Sequence, residues 1–205
     1  MKKSPWTMAA LVVALVSLGA LPATAAMKGM GEMGSRYGGP VYDGPPALTV
    51  TASLVKAGGG PENFSIATAL TSMVGPNLVG AEVKKLTRQY GKARVGSWIT
   101  VFNFAVSDAL QKATAAGVTL PEGNLSGKAL AATLVKAGLD KKGTFYTEYL
   151  LDKAVTHKIH MAVMDDIDAK YGVQKDEDYH RITNQAMADL AHALGAKTVK
   201  VASLH

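Results

Sequence analysis

From residue 47 onward apolar residues recur at spacings of three and four, interrupted by short runs of Gly and Pro, the pattern of a succession of amphipathic helices. The interruptions predict helices over 47–57, 62–74, 76–90, 93–116, 128–137, 144–172 and 176–194. Gly58-Gly59-Gly60-Pro61 closes the first, and Gly75-Pro76 parts the second from the third, Pro76 being well suited to a first helical position. The stretch 118–126, with Pro121, reads as a linker. The longest pattern, 144–172, holds no proline or internal glycine, can start on Thr144 as N-cap and can end at Gly172. As one continuous helix it spans on the order of 40 Å. One of its faces carries Val155, Ile159, Ala162, Val163 and Ile167, another Leu150, His157, Met161, Met164 and Asp168, so it belongs near the centre of a bundle. The tail, 197–205, has a short alternation that fits a strand or a docked end.

The two halves of this pattern superimpose. Ala52-Ser-Leu-Val-Lys-Ala-Gly58 returns as Ala132-Thr-Leu-Val-Lys-Ala-Gly138, and an offset of 81 then pairs Phe64 with Phe145, Leu86 with Ile167, Tyr90-Gly91 with Tyr171-Gly172, Trp98 with Tyr179 and Asn103 with Asn184. The predicted fold is therefore all-α: a helical bundle from a tandem duplication of a three-to-four-helix unit, 47–117 and 127–196, packed about a pseudo-twofold axis so that each unit covers the other's apolar face. At the paired asparagines inter-helix hydrogen bonds are expected. The match also sets His157 opposite Pro76, so whatever His157 does, the first unit does not.

Ahead of the helices, Lys2 and Lys3, an apolar run from Ala9 to Leu21 and Ala23-Thr24-Ala25-Ala26 read as a cleavable secretory signal over 1–26, implying a periplasmic or secreted protein. Its apolar run is too short for the roughly 20 residues of a membrane span, and no integral anchor is expected after cleavage. Residues 27–46 form a Gly-, Met- and Pro-rich flexible or extended lead-in. The chain has no cysteine, which excludes disulfides and lipoprotein modification, and leaves an ordinary apolar core to stabilise it. Loss of Lys2 and Lys3 lowers the formal net charge from +6 to +4, and no basic cluster is interleaved with aromatics, so nucleic acid is not an expected partner.

All five histidines fall in the second half. His157 and His160 stand at i, i+3 on a predicted helix, where two imidazoles can share a metal ion, and Met161 and Met164 lie beside them; this is a ligand set for copper or zinc. Against it stands the plainer assignment of one histidine to a neighbouring helix and the other to water. With 172–175 as the loop of an antiparallel hairpin, His180 falls about 9–12 Å in height from His160, and His192 becomes the better third ligand. Met27, Met30 and Met33 form an MxxMxxM that could hold cuprous ion through thioethers. Asp165, Asp166 and Asp168 lack the glycine-punctuated loop of a calcium site and read as a solvated face, and Asp176 and Asp178 as favourable charge in a first helical turn. GxSxG, a cysteine nucleophile and a phosphate-cradling loop are absent, as is the CxxCH of covalent haem. The sequence thus points to an exported all-helical binding or structural protein for an unknown small ligand or protein. The alternatives are a copper, zinc or, less favoured, haem-binding protein using His157 or His160, and third an enzyme of unrecognised motif.

Overall fold

The computed structural model describes residues 35–204. The leader, and with it Met27, Met30 and Met33, lies outside the described residues, as does His205. Eight helices carry the described chain: α1 (Leu48–Ala57), α2 (Ile66–Val74), α3 (Pro76–Tyr90), α4 (Lys92–Ala115), α5 (Gly127–Gly138), α6 (Thr147–Ala154), α7 (His157–Tyr171) and α8 (Val173–Ala193). Two short strands, β1 (Thr144–Phe145) and β2 (Lys200–Val201), pair in parallel, so the tail docks as a strand beside the start of the second half. Among the described residues no helix is long and apolar enough to cross a membrane.

The all-helical class is as the pattern predicts; the single helix over 144–172 is not. Residues 144–145 are strand, and the rest is cut at Val155-Thr156 into α6 and α7. Thr156 has φ 136°, the one non-glycine residue with positive φ among the described residues, and its hydroxyl accepts the Ile159 N–H at 3.3 Å as the N-cap of α7. A β-branched residue is costly in that region of φ/ψ space, so the hydroxyl's alternative to helix continuation and the tertiary contacts of α6 and α7 hold it there. Gly75 makes the same kind of joint between α2 and α3 at φ 85°, ψ 157°, where glycine meets no side-chain penalty. One residue alone, Gly91 or Gly172, joins α3 to α4 and α7 to α8, each at φ 88°, ψ 150°.

The core runs through both halves. Helix α4 packs on α7 and α8, α2 on α5, and α3 on α8. Leu86, Val101, Trp98, Ile167, Tyr179 and Ile182 are buried between them, with Phe102 edge-on to Tyr179. Burial of a side chain of that size contributes about 1.5–3 kcal/mol. Asn103 and Asn184 make the inter-helix bonds expected of them: the Ile66 N–H donates to Asn103 Oδ1 and the Thr147 N–H to Asn184 Oδ1, each at 2.8 Å, at the start of α2 and of α6.

Candidate functional site

The break at Thr156 is what assembles the site. Asp152 lies in the last turn of α6, His157 opens α7 and His160 follows one turn later. Because the chain turns between them, the two imidazoles come back onto one carboxylate oxygen: Asp152 Oδ1 is 3.0 Å from His157 Nδ1 and 2.7 Å from His160 Nδ1. One ligand atom from each of the three residues lies within 4.8 Å of the other two. Asp152 and His160 are each 1% exposed, and His157 sits half-buried at the rim.

Electrostatics assign the protons. Burial pushes the Asp152 carboxyl upward, but hydrogen bonds from His160, from the Tyr42 N–H at 3.0 Å and from His157 outweigh it and hold the group below the usual aspartate value. It is therefore an acceptor, and His160 Nδ1 carries the donated proton. Burial, the largest influence on His160, pulls it below the ordinary histidine value although Asp152 opposes that, so this imidazole is neutral. Its Nε2 is then a bare lone pair, buried and without a hydrogen-bond partner. His180 repeats the arrangement on α8, with Nδ1 3.0 Å from the Asp176 carbonyl oxygen and a buried Nε2 equally unpartnered.

The ring centroids of His160 and His180 are 6.4 Å apart, which corrects the separation expected from the sequence. That figure assumed a loop over 172–175. With Gly172 alone between the helices, the two residues differ in height by only about four residues, roughly 6 Å, and two side chains span the gap.

A segment of the lead-in lies across this cluster. The backbone N–H groups of Arg36 and Tyr37 and the Ser35 hydroxyl donate to the buried Glu148 carboxylate, one turn before Asp152. Tyr37 donates its hydroxyl to Asp176 at 2.7 Å and stacks on His180 with centroids 4.6 Å apart. Burial and that carboxylate push the Tyr37 phenol far above its usual value, so it stays a donor. Arg36 pairs with Asp165 and Asp168 at 2.6 Å each, and Lys112 with Asp166; the acidic face is thus a set of ion pairs.

Other residues singled out in the sequence lie elsewhere. Met164 is wholly buried in the apolar core and Met161 is half-buried, while His192 is exposed, its Nδ1 3.2 Å from the Ala196 carbonyl oxygen. The exposed His192 ring is turned to the chain after α8, so among the described residues it supplies none of the ligand atoms that converge at Asp152. The sequence pattern does not single out Asp152, Glu148 or Tyr37, sets His180 aside on its height, and reads Asp176 only as charge in a first helical turn. The signal was available: Glu148 and Asp152, and Asp176 and His180, are i, i+4 pairs, each on one side of a helix. No family model, no curated protein and no solved structure matches this chain.

Proposed function

We propose that this chain is an exported, all-helical binding protein made by tandem duplication, and that its second unit binds a transition metal ion, zinc or copper, on Asp152, His157 and His160. The observation that carries the metal is the convergence of three ligand atoms, one from each residue, within 4.8 Å of one another. A tetrahedral ion at about 2.0–2.1 Å keeps its ligand atoms about 3.3 Å apart, so the present 3.0 and 2.7 Å contacts need only a small opening to admit it. Each imidazole then gives Nδ1 to the metal and carries its proton on Nε2, the atom that His160 now leaves without a partner. Two neutral imidazoles and a carboxylate, with the fourth position toward the rim at His157, form a mixed nitrogen and oxygen set that suits zinc or cupric copper. Burial that keeps His160 neutral also keeps it competent as a ligand. Export rests on the leader over 1–26.

The duplication is supported beyond the matching residues. Shifted by 81 positions, α2, α3 and the start of α4 fall on α6, α7 and the start of α8 to within a residue. The Ser65 N–H donates to the Gly58 carbonyl and the Tyr146 N–H to the Gly138 carbonyl, both at 2.9 Å, and at both glycines an added Cβ would strike the phenylalanine that follows, Phe64 or Phe145. Contacts between halves come in exchanged pairs, as a twofold requires: Lys85 on α3 meets Asp189 on α8, while Asp166 on α7 meets Lys112 and Asp108 on α4. Trp98 meets Thr183 as Phe102 meets Tyr179.

The test is elemental analysis of the mature protein, exported in its own host and purified without a histidine tag or chelator. Near-stoichiometric zinc or copper is expected, with affinity lowered at least tenfold in His157→Ala, whose rim position leaves the core intact. A folded protein that takes up neither metal, or a His157→Ala, His160→Ala double variant that keeps it, would overturn the metal.

A further inference from the structure

Positive charge collects where the tail docks. The turn Asp140-Lys141-Lys142-Gly143 leads into β1 and is closed by the Gly143 N–H on the Asp140 carbonyl oxygen at 3.2 Å. Strand β2 lies alongside, with the Lys200 N–H on the Gly143 carbonyl oxygen at 2.9 Å and Lys200 level with Thr144. Lys142 is thus two positions from the residue opposite Lys200, Lys197 comes three residues before Lys200, and Lys136 lies in the last turn of α5, which runs into the same turn. All five lysines are exposed, and their ammonium groups make no ion pair, hydrogen bond or ring contact among the described residues.

The charge there is not answered locally. Of the 20 basic and 16 acidic residues that remain once Lys2 and Lys3 are set aside, this patch takes five and one, which leaves 15 of each for the rest of the chain. The whole net charge of +4 therefore sits beside β1 and β2. Its one carboxylate, Asp140, is committed to the turn, where Oδ1 accepts the Lys142 and Thr144 N–H groups at 2.8 Å each. In the helical body, by contrast, Lys85, Arg94 and Lys112 are paired with Asp189, Asp178 and Asp166. Next to Lys200, Val201 is one of three large apolar side chains exposed among the described residues.

We propose that this face docks on an anionic phospholipid bilayer, through Lys142, Lys197 and Lys200, with Lys136 and Lys141 at the margin and Val201 against the headgroup layer. A lipid surface needs no groove and no fixed geometry: flexible ammonium groups lie on its phosphates, and each one near the surface adds to the attraction. Nucleic acid is met less well, because neither 136–142 nor 194–204 holds an arginine or an aromatic ring. The surface shares no residue with the metal group and stands without it.

Co-sedimentation of the full mature chain with large unilamellar vesicles tests it. The chain is expected to bind vesicles of equal parts phosphatidylglycerol and phosphatidylcholine, not phosphatidylcholine alone, and to be released as salt shortens the screening length from about 10 Å at 0.1 M to about 3 Å at 1 M. A triple variant, Lys142→Gln, Lys197→Gln, Lys200→Gln, should bind about a hundredfold more weakly, roughly fivefold for each lysine. The matched control, Lys84→Gln, Arg88→Gln, Lys92→Gln, removes the same charge from exposed, unpaired positions on α3 and α4 and should stay within about threefold of the wild type. Failure of the folded wild-type chain to bind the mixed vesicles, equal weakening in the two triple variants, or tighter binding to duplex DNA at the same phosphate concentration would overturn the proposal.

Discussion

Thr71 and Asp152 occupy the same place in two helices, α2 and α6, 81 positions apart, and do opposite things: Thr71 faces water, whereas Asp152 is buried and accepts three hydrogen bonds. The contrast extends through the unit. Where the second half has His160, Asp176 and His180, the first has Val79, Val95 and Ile99. Helices that match in length and position 81 residues apart therefore carry an apolar interior in one half and a buried polar cluster in the other. The difference lies in what covers each. Residues 35–46 lie over the second half and bring backbone N–H groups to Glu148 and Asp152 and a phenol to Asp176 Oδ2, so the cost of burying these carboxylates is offset at every one of them, although Asp176 Oδ1 accepts no hydrogen bond. The covering segment and the polar cluster belong together, and neither makes physical sense alone.

The largest break in that comparison is Asp152→Ala. It strands two imidazoles and the Tyr42 N–H in a buried place, and a loss of about 3 kcal/mol or more is expected from urea unfolding at pH 7. Thr71→Ala, at the matching exposed position, should stay within about 0.5 kcal/mol. Equal losses at the two positions would dissolve the contrast.

A smaller effect separates the paired asparagines. Asn184 is fully buried and accepts from both the N–H and the hydroxyl of Thr147, the latter at 2.7 Å, whereas Asn103 is half-buried and accepts the Ile66 N–H alone. Asn184→Ala should cost about 2–3 kcal/mol and Asn103→Ala about 1 kcal/mol, since each leaves a helix-starting N–H unpaired but only one leaves a second donor behind. A reversed order would mean that the two caps are not equivalent.

The first half holds a half-buried acid of its own, Glu82, where the second has Val163. Through burial and the neighbouring Asp189, Glu82 keeps its proton in the folded chain up to about 7, against 4.5 for the free side chain. Between those values the unfolded chain binds fewer protons than the folded one, so the stability tied to this group is complete below pH 4.5 and is lost as pH rises through 7. Glu82→Gln should remove that decline and leave the protein more stable at pH 8 by on the order of 1 kcal/mol, a figure reduced for the group's partial exposure. Denaturant midpoints between pH 5 and pH 8 read the difference directly; parallel curves for the two proteins would be the contrary result.

Much of this organisation is legible in the sequence, and what is not has a common cause. Helices bounded by Gly or Pro are read within a few residues, as at Gly75-Pro76 and Gly91, because those residues act on the backbone locally. The joint at Thr156 carries no such residue and stays hidden from local pattern. The polar cluster is hidden for a related reason: Asp152 and His160 are eight residues apart and meet only because that joint turns the chain, and Tyr37 reaches Asp176 from 139 residues away. His157 and His160 are visible as a pair at helical spacing, but the carboxylate between them comes from the helix before. The internal match held the missing information: carrying the Gly75 joint across by 81 positions lands on Thr156.

That correspondence yields the smallest and sharpest expectation. Thr156 holds a glycine-like φ of 136°, which costs a β-branched residue about 1–3 kcal/mol, and it recovers part of this through its hydroxyl bond to the Ile159 N–H. Thr156→Gly gives up the cap, worth only a few tenths of a kcal/mol when glycine replaces threonine, and adds the backbone entropy of glycine to the unfolded chain, about 0.5–1 kcal/mol. Relief of the strain should exceed the two losses slightly, so the variant is expected to be more stable than the wild type by about 0.5 kcal/mol. The reciprocal Gly75→Thr, with no neighbouring contact evolved to hold it, should destabilise by 1 kcal/mol or more, about the lower end of that strain. If Thr156→Gly instead weakened the fold and loosened the His157–Asp152 contact, seen as loss of metal uptake, the strained joint would be a positioning device for the site rather than a glycine turn that has lost its glycine.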